Sequence, residues 1–597
     1  MKKYIVNIIN KIAPFVIFLL ISIVYATPLF KNINNWGQMD WDQFTFWNAV
    51  PYESIMKYHQ FPLWNPYGNG GNVLLAHPHS SFLCPLYIFV LIFGPLAGLK
   101  IQIIVYLLIG FLGMYLLAKI LKLNGISSYL PPIVFMLSSL YALHVAEGHT
   151  EWFTMAVIPW LFYFYIKSFE QKKFILLAVV SLSLMIFSGS VNVLSIAAVL
   201  IGVFCVFMAL QLKRAEALKN LIFIFAGAIL LCSVKLLPMF EFIRMNPRYV
   251  EPSKISNITM LKEIFLSRAQ NEYYQNTKWA SPDKPIVYKA KKFEYGWHEY
   301  GAYVGILPLI LAIAGLFLYF RKYWPLVLTG IISFLISLGT FHRFNLWDVL
   351  NKLPFYSSLH VPSRYILGMI FVIAVFAGLG LSYFEKKLVL KAKIFKLIPF
   401  LAVIFISLDL FLVNFTLLDH VFTQKMISIP RFAEFRQRYR TVNLLPGKSR
   451  SSMFPVFLSN SGIIDSYEVI ALKKGDVKIV EDQGYKAEAY LAGPKGQISI
   501  NMFSPNRIIV DCNIDNGGLL ILNQNYFSGW RIRKQKNVYD AISYGGLIAT
   551  PVEKHDKRIE FFYAPRSFSI GLFISAITLT ITLAYVLRLL IRGKNEY

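Results

Sequence analysis

Apolar runs close to twenty residues long, separated by short polar turns, recur along most of the chain. Each is long enough to cross the ~30 Å hydrocarbon core of a bilayer as a helix. They predict spans at 12–30, 99–120, 126–143, 152–167, 174–190, 192–211, 219–240, 300–320, 324–341, 364–384, 396–418 and 566–591, twelve in all. The basic, apolar start reads as a retained first span, because "YATPLF" is a poor small-x-small cleavage site. A further run, "FLCPLYIFVLIFG" at 82–94, is short and contains Pro85, so it reads as an interfacial or re-entrant segment. Leaving it out gathers "KSFEQKK" at 167–173, "LKRAEALK" at 212–219 and "EKKLVLKAKIFK" at 385–396 on one side with both termini. The positive-inside bias makes that side cytoplasmic. The segments 31–98, 241–299, 342–363 and 419–565 then face outward.

Two outward segments have patterns of their own. "DQFTFWNAVPYESIMKYHQFPLWNP" predicts one or two amphipathic helices at the membrane interface, rich in Trp and Tyr. From about 450 to 563 the apolar period shortens to two in "QISINMF", "RIIVDCNI", "GLLILNQNYF" and "RIEFFYAP", with turn signals "SPN", "DNGG" and "YGG" between them. That is the pattern of a small β-sandwich. The expected organisation is a helical membrane region over 1–418, an extracytoplasmic domain over 419–565 with its sandwich from about 450, and a last span and short tail over 566–597.

Composition agrees with a polytopic α-helical membrane protein: 56% of residues are hydrophobic and 15% charged, against ~25% charged in soluble domains. The net charge of +27 follows the ends of the spans, and no compact basic module supports nucleic-acid binding. Cys84, Cys205, Cys232 and Cys512 are scattered and form no CxxC pair, which argues against a disulfide framework or a zinc site.

The orientation has a chemical consequence. All ten histidines fall on the outer side, as do Glu147 and Glu151 of "EGHTEW" and Glu299 of "GWHEYG". Ionisable groups at membrane depth are costly and usually face a cavity. The pattern therefore predicts an outward polar cavity lined by His77, His79, His144, His149, Glu151, His298 and Glu299. Ahead of it, "NNWGQMDWDQFTFWN" carries Asp40 and Asp42, a pair suited to a general base acting on a hydroxyl. "LPFYSSLHVPSRY" sets His360 and Arg364 at the mouth of a span, and arginine matches a phosphate bidentately. Plainer readings stand beside these: acids at a helix N-terminus, interfacial hydrogen bonding by His77 and His79, and a loop ion pair for Arg364. The histidines and glutamates also leave a divalent metal open, with no cofactor required.

In that order along the chain, "GQMDWDQ", "QFPLWNPYGNGGNVLLAHPHSSFLCPLYIF", "HEYGAYVGILPLILAIAG", "LPFYSSLHVPSRYILGM", "LILNQNYFSGWRI" and "FFYAPRSFSIGLFIS" resemble the YfhO-type bacterial membrane proteins of the GT-C glycosyltransferase class. The resemblance runs over nearly the whole chain. It implies sugar transfer from a polyprenyl-phosphate carrier to an envelope glycan, lipid or protein on the outer face of the bacterial cytoplasmic membrane. It also implies that Asp40 or Asp42 is the base, with Asp42 slightly favoured, and that Arg364 with His360 steadies the donor phosphate. Two rivals remain at this point: a transporter or flippase of a lipid-linked sugar, and a non-catalytic envelope-binding protein.

Overall fold

The structure is a computed structural model describing residues 2–37, 39–248, 258–340, 345–389, 397–425, 428–441, 453–468, 470–493 and 496–594. It is mostly helical, with a β-rich C-terminal region. Among the described residues eight helices are long and apolar enough to cross a membrane, or nine if one bent pair counts as a span. This is a multi-pass membrane protein.

Twelve spans were expected, and the difference has local causes. The 152–167 run divides into a 3-10 stretch, Thr150–Val157, and a ten-residue helix, Ile158–Lys167. Lys173–Phe187 is only fifteen residues long. The 219–240 run bends by 81° between Glu216–Leu231 and Ser233–Met245. The runs at 300–320 and 324–341 join in Ile306–Ser337, broken at Tyr323 two residues before Pro325, as proline breaks helices. The ambiguous 82–94 run leads into helix α3 (Ile88–Ile120) through Gly94, whose φ of 78° breaks the helix there.

Helix α1 (Lys2–Phe30) ends close to Lys100 of α3. The buried ammonium of Lys100 donates to the carbonyls of Asn32, Ile33 and Asn35 at 3.0, 2.7 and 2.9 Å. These contacts satisfy carbonyls past the helix end and fix the direction of the next segment. Helix α2 (Asp40–Met56) follows. It was expected to lie half-exposed at the interface, but thirteen of its seventeen residues are buried. One side meets the helical bundle, and the other meets the short helix Met453–Leu458.

The β-rich region is two antiparallel sheets. Five strands run in the order Asn537–Asp540, Trp530–Lys534, Arg558–Tyr563, Arg507–Ile514, Gly496–Ser504. Four run in the order Ile542–Tyr544, Leu547–Val552, Gly518–Asn525, Ala489–Ala492. Alternation sorts their apolar residues as a period of two requires. Leu520 and Leu522 join the same core as Ile508, Val510, Ile559 and Phe561, while Ile521 faces away toward Val477 and Ile479. The sheet strands begin at Ala489; the stretch before them holds the short helix and a parallel pair, Arg436–Tyr439 with Ser461–Ile463.

Asp42 joins these regions. The backbone N–H groups of Met453 and Phe454 donate to its two carboxylate oxygens at 2.7 and 3.1 Å. A carboxylate at a helix N-terminus satisfies otherwise orphaned amides and opposes the helix dipole. Replacing Asp42 by Ala should therefore lower stability by about 2–3 kcal/mol. Chemical denaturation in detergent should show Asp42→Asn recovering part of this, and equal stability of Asp42→Ala and the parent would refute the assignment.

Candidate functional site

Met39, with φ of 59°, turns the chain sharply into α2, so Asp40 becomes its first residue. What Asp40 meets is set by Gly148. That glycine has φ of 103°, and a Cβ there would lie 2.2 Å from the Trp41 nitrogen. Only glycine permits so close a backbone approach. Trp41 adds a bond from its indole N–H to the Val145 carbonyl at 2.7 Å. The next residue, His149, thereby brings Nε2 to 2.9 Å from Asp40 Oδ2.

A chain of polar contacts runs on from there. His149 and His144 share a proton between their Nδ1 atoms, 2.9 Å apart. His144 stacks on Trp152 at 3.6 Å and 9°. The His298 ring lies edge-on to His149 at 5.1 Å. Its two nitrogens face Glu147 at 3.2 Å and Glu299 at 3.5 Å. The Tyr274 hydroxyl donates to Glu147 at 2.9 Å. Arg364 then grips Glu299 with two parallel bonds, Nε to Oε2 at 2.7 Å and Nη2 to Oε1. Beside this line, Glu151 accepts from Asn192 at 2.5 Å and faces His79 Nδ1 at 3.2 Å. His79 stacks on Trp47, and His77 pairs with Glu468 at 2.8 Å.

Asp40, His144, His149, His298, Glu299 and Arg364 thus form one cluster, with Glu151 and His79 alongside and His77 at its edge. Asp42 is absent from it, because both its oxygens are engaged on the far side of α2. His360 lies against the Tyr295 ring at 5.5 Å. An open cavity was expected, but these side chains pack on one another, because opposite charges at this depth are stabilised by pairing. Within the line running from Asp40 to Arg364, those two end residues reach the surface most. Their side chains are 17% and 13% exposed, against 4–10% for His149, Glu147, His298 and Glu299.

The electrostatics follow from this packing. Burial works against charge on His298, but Glu147 and Glu299 outweigh it and push its pKa up to about 10. Burial also works against the Glu299 carboxylate, yet Arg364 and His298 hold it well below the usual range. For Glu151 burial is outweighed by His79, Arg364 and His149, which bring it to about 2. His360 goes the other way: burial, then Arg364 and Arg248, push it down to about 3. It can offer a hydrogen bond to a phosphate but no positive charge.

Arg248 was not anticipated from the sequence. It sits beside Arg364, Glu151, Tyr295 and Tyr467, and burial followed by Arg364 pushes it below the usual arginine range. Among the described residues it forms no ion pair. The only sequence signal was "RMNPRYV" at a helix mouth. Tyr274 and Asn192 were also missed, since neither side chain is unusual in an outer segment. For a metal, ligand atoms of His149, His298 and Glu299 lie within 4.8 Å of one another, a donor set that suits a first-row divalent ion. Such an ion would share Glu299 with Arg364.

No family model matches the chain, and no curated protein matches it. Among solved structures, the arabinofuranosyltransferase AftD from Mycobacteria is similar at 12% identity and a TM-score of 0.49, over 77% of this chain and 32% of that one. A mutant form of the same transferase gives 11% identity and a TM-score of 0.44, over 66% of this chain and 27% of that one. The chain therefore spans about a third or less of the length of these structures.

Proposed function

We propose that the protein is a membrane glycosyltransferase of the GT-C type. It would move a sugar from a polyprenyl-phosphate carrier to an envelope acceptor at the extracytoplasmic face of the bacterial cytoplasmic membrane, with both termini inside. The observation that carries this reading is the line of contacts from Asp40 to Arg364, with a carboxylate at one accessible end and a guanidinium at the other.

In this mechanism Asp40, not Asp42, is the base. The acceptor oxygen attacks the anomeric carbon, its proton passes to Asp40 Oδ1 or Oδ2, and the anomeric C–O bond to the carrier phosphate breaks with inversion. The phosphate leaves with the bonding electron pair. His149 orients Asp40 from behind. Arg364 has five N–H donors and uses two on Glu299. The remaining three, with Arg248, would meet the leaving phosphate, where charge develops. His360 would add a neutral hydrogen bond. A divalent ion, where one takes part, would be held by His149, His298 and Glu299 only with His298 deprotonated and released from its carboxylate pairing, and would supply further charge neutralisation.

A flippase of lipid-linked sugars is the second reading. It is favoured by the 81° break at Cys232, with the buried Lys235 ammonium donating to the Ser80 carbonyl and, at 2.9 Å, to that of Ile186. Broken helices of this kind line substrate sites in transporters.

Three outcomes test the transferase. Purified protein given a panel of polyprenyl-phosphate sugars and envelope glycans should make a glycosidic bond. Asp40→Asn should slow that turnover by ~10²–10⁴-fold; movement of carrier between leaflets with no bond made would select the flippase. Arg364→Lys keeps the charge and loses the fork, so kcat should fall at least about tenfold; unchanged kinetics would remove Arg364 from the phosphate.

A pH profile of stability tests the ion pairing separately. Charged His298 contributes stability that is complete below its unfolded value of 6.5 and is lost as pH rises through about 10. The Glu299 carboxylate contributes above its unfolded value of 4.5 and is lost as pH falls through its depressed one. The parent's melting temperature should therefore fall between pH 6.5 and pH 10. His298→Gln should remove most of that slope, and identical slopes in parent and variant would contradict the ion pairing.

A further inference from the structure

Helix α2 has a second working side. Asp40, Phe44 and Trp47 face the histidines, while Tyr52, Glu53 and Met56 project the other way, as helical periodicity requires. There they line a groove of about 700 Å³ with the Gly94 elbow of α3 and the helix Met453–Leu458. The groove is mainly apolar. Ile33, Met56 and Phe93 around it are 45%, 49% and 53% exposed, at the level where α1 ends and the apolar part of α3 begins.

A second cleft, of about 910 Å³, continues into the β-rich region, and the two share Lys57 and Arg431. Its walls differ in chemistry. Tyr58, Phe432 and Tyr485 supply aromatic rings, and Asn460, Ser499 and Asn501 supply hydrogen-bonding groups. Where the cavities meet, Arg431 and Lys57 both reach one oxygen of Glu53, at 2.6 and 3.1 Å. Two cations against one carboxylate leave a surplus positive charge at the junction.

An apolar trough, then a positive step, then a polar aromatic cleft is complementary to one kind of molecule. We propose that this continuous groove holds a phosphate-linked glycolipid: the chain lies in the apolar trough, the phosphate beside Arg431 and Lys57, and the sugars in the cleft. The site lies across α2 from Asp40, so it is separate from the proposed catalytic cluster and stands whether or not that cluster transfers sugar. A lipid alone would use only the trough, and a free glycan only the cleft. The two halves held together give the linked molecule an effective-concentration advantage over either.

The test reads binding, not turnover. Full-length protein in phosphatidylcholine nanodiscs is irradiated with an undecaprenyl-phosphate disaccharide carrying a diazirine on its chain, and crosslinked peptides are mapped. Crosslinks are expected within residues 52–57 and 93–97. Unlabelled undecaprenyl-phosphate disaccharide should compete at least about tenfold better than undecaprenyl phosphate or maltohexaose. Ser499→Trp in the cleft and Arg431→Glu at the junction should each weaken this crosslink about fivefold or more, and Asp40→Asn should leave it unchanged. Because Ser499 is exposed and Arg431 is half-exposed, folding is monitored by retained melting temperature. Crosslinks confined to other segments overturn the proposal. So does equal competition by undecaprenyl phosphate, which would mark a plain lipid trough, or by maltohexaose, which would mark a polymer cleft.

Discussion

The arrangement around α2 turns on one close approach, the Gly148 backbone against that of Trp41. A side chain at 148 would push α2 off the bundle by the width of a methyl group or more. The Trp41 bond to Val145 and the Asp40 contact with His149 would both be lost, because each is a direct consequence of that spacing. The same displacement would draw Asp42 away from the amides of Met453 and Phe454. Backbone contact on one side of a helix thus sets electrostatics on both. Interiors are close-packed, so such a shift is transmitted and not absorbed.

Given that placement, charge balance organises the rest. Glu147, Glu299 and Glu151 are buried together, and isolated carboxylates at that depth would be protonated. Arg364, His298 and His79 keep them in register instead, and each acid has two polar partners: Tyr274 and His298, His298 and Arg364, Asn192 and His79. The bidentate Arg364 pair is the stiffest of these, since planar forks fix direction as well as distance. Asp40 faces the His149 imidazole and is the member of the line nearest solvent. A cluster that is rigid at its centre and accessible at its ends suits proton and phosphate chemistry at those ends, which is the basis of the transferase reading.

Sequence periodicity revealed the elements with one dominant contact surface. The strand "RIEFFY" alternates because Ile559, Phe561 and Tyr563 share the buried face, and the long apolar helices announce themselves by length. That His144, His149, His298 and Arg364 belong together was legible from their expected placement on one side of the membrane. The distinction between Asp40 and Asp42 was not. They are two residues apart, so a helix turns them to different faces, and what each face meets comes from residues more than a hundred and four hundred positions away. Arg248 was hidden for a related reason: its importance lies in three-dimensional proximity to Arg364 and Glu151, which no local pattern encodes. The short and bent helices were not legible because hydropathy reports solvent preference and is blind to helix breaks.

The segment after α2 is completed by a strand more than 450 residues further along the chain. Trp64 donates to Gln524 at 2.8 Å, and the Asn525 amide donates to the carbonyls of Asn69 and Gly71 at 2.6 and 3.2 Å. Sequence separations of more than 450 residues mean that these groups stay open to water or wrong partners until the strand Gly518–Asn525 has been made. The segment that follows α2 therefore acquires its final shape only when that strand closes over it, and the last helix, Arg566–Lys594, packs against Ser233–Met245 later still in chain order. A chain lacking that strand would leave the Trp64 indole and the Asn69 and Gly71 carbonyls without these partners, so damage to a distant strand is felt beside α2.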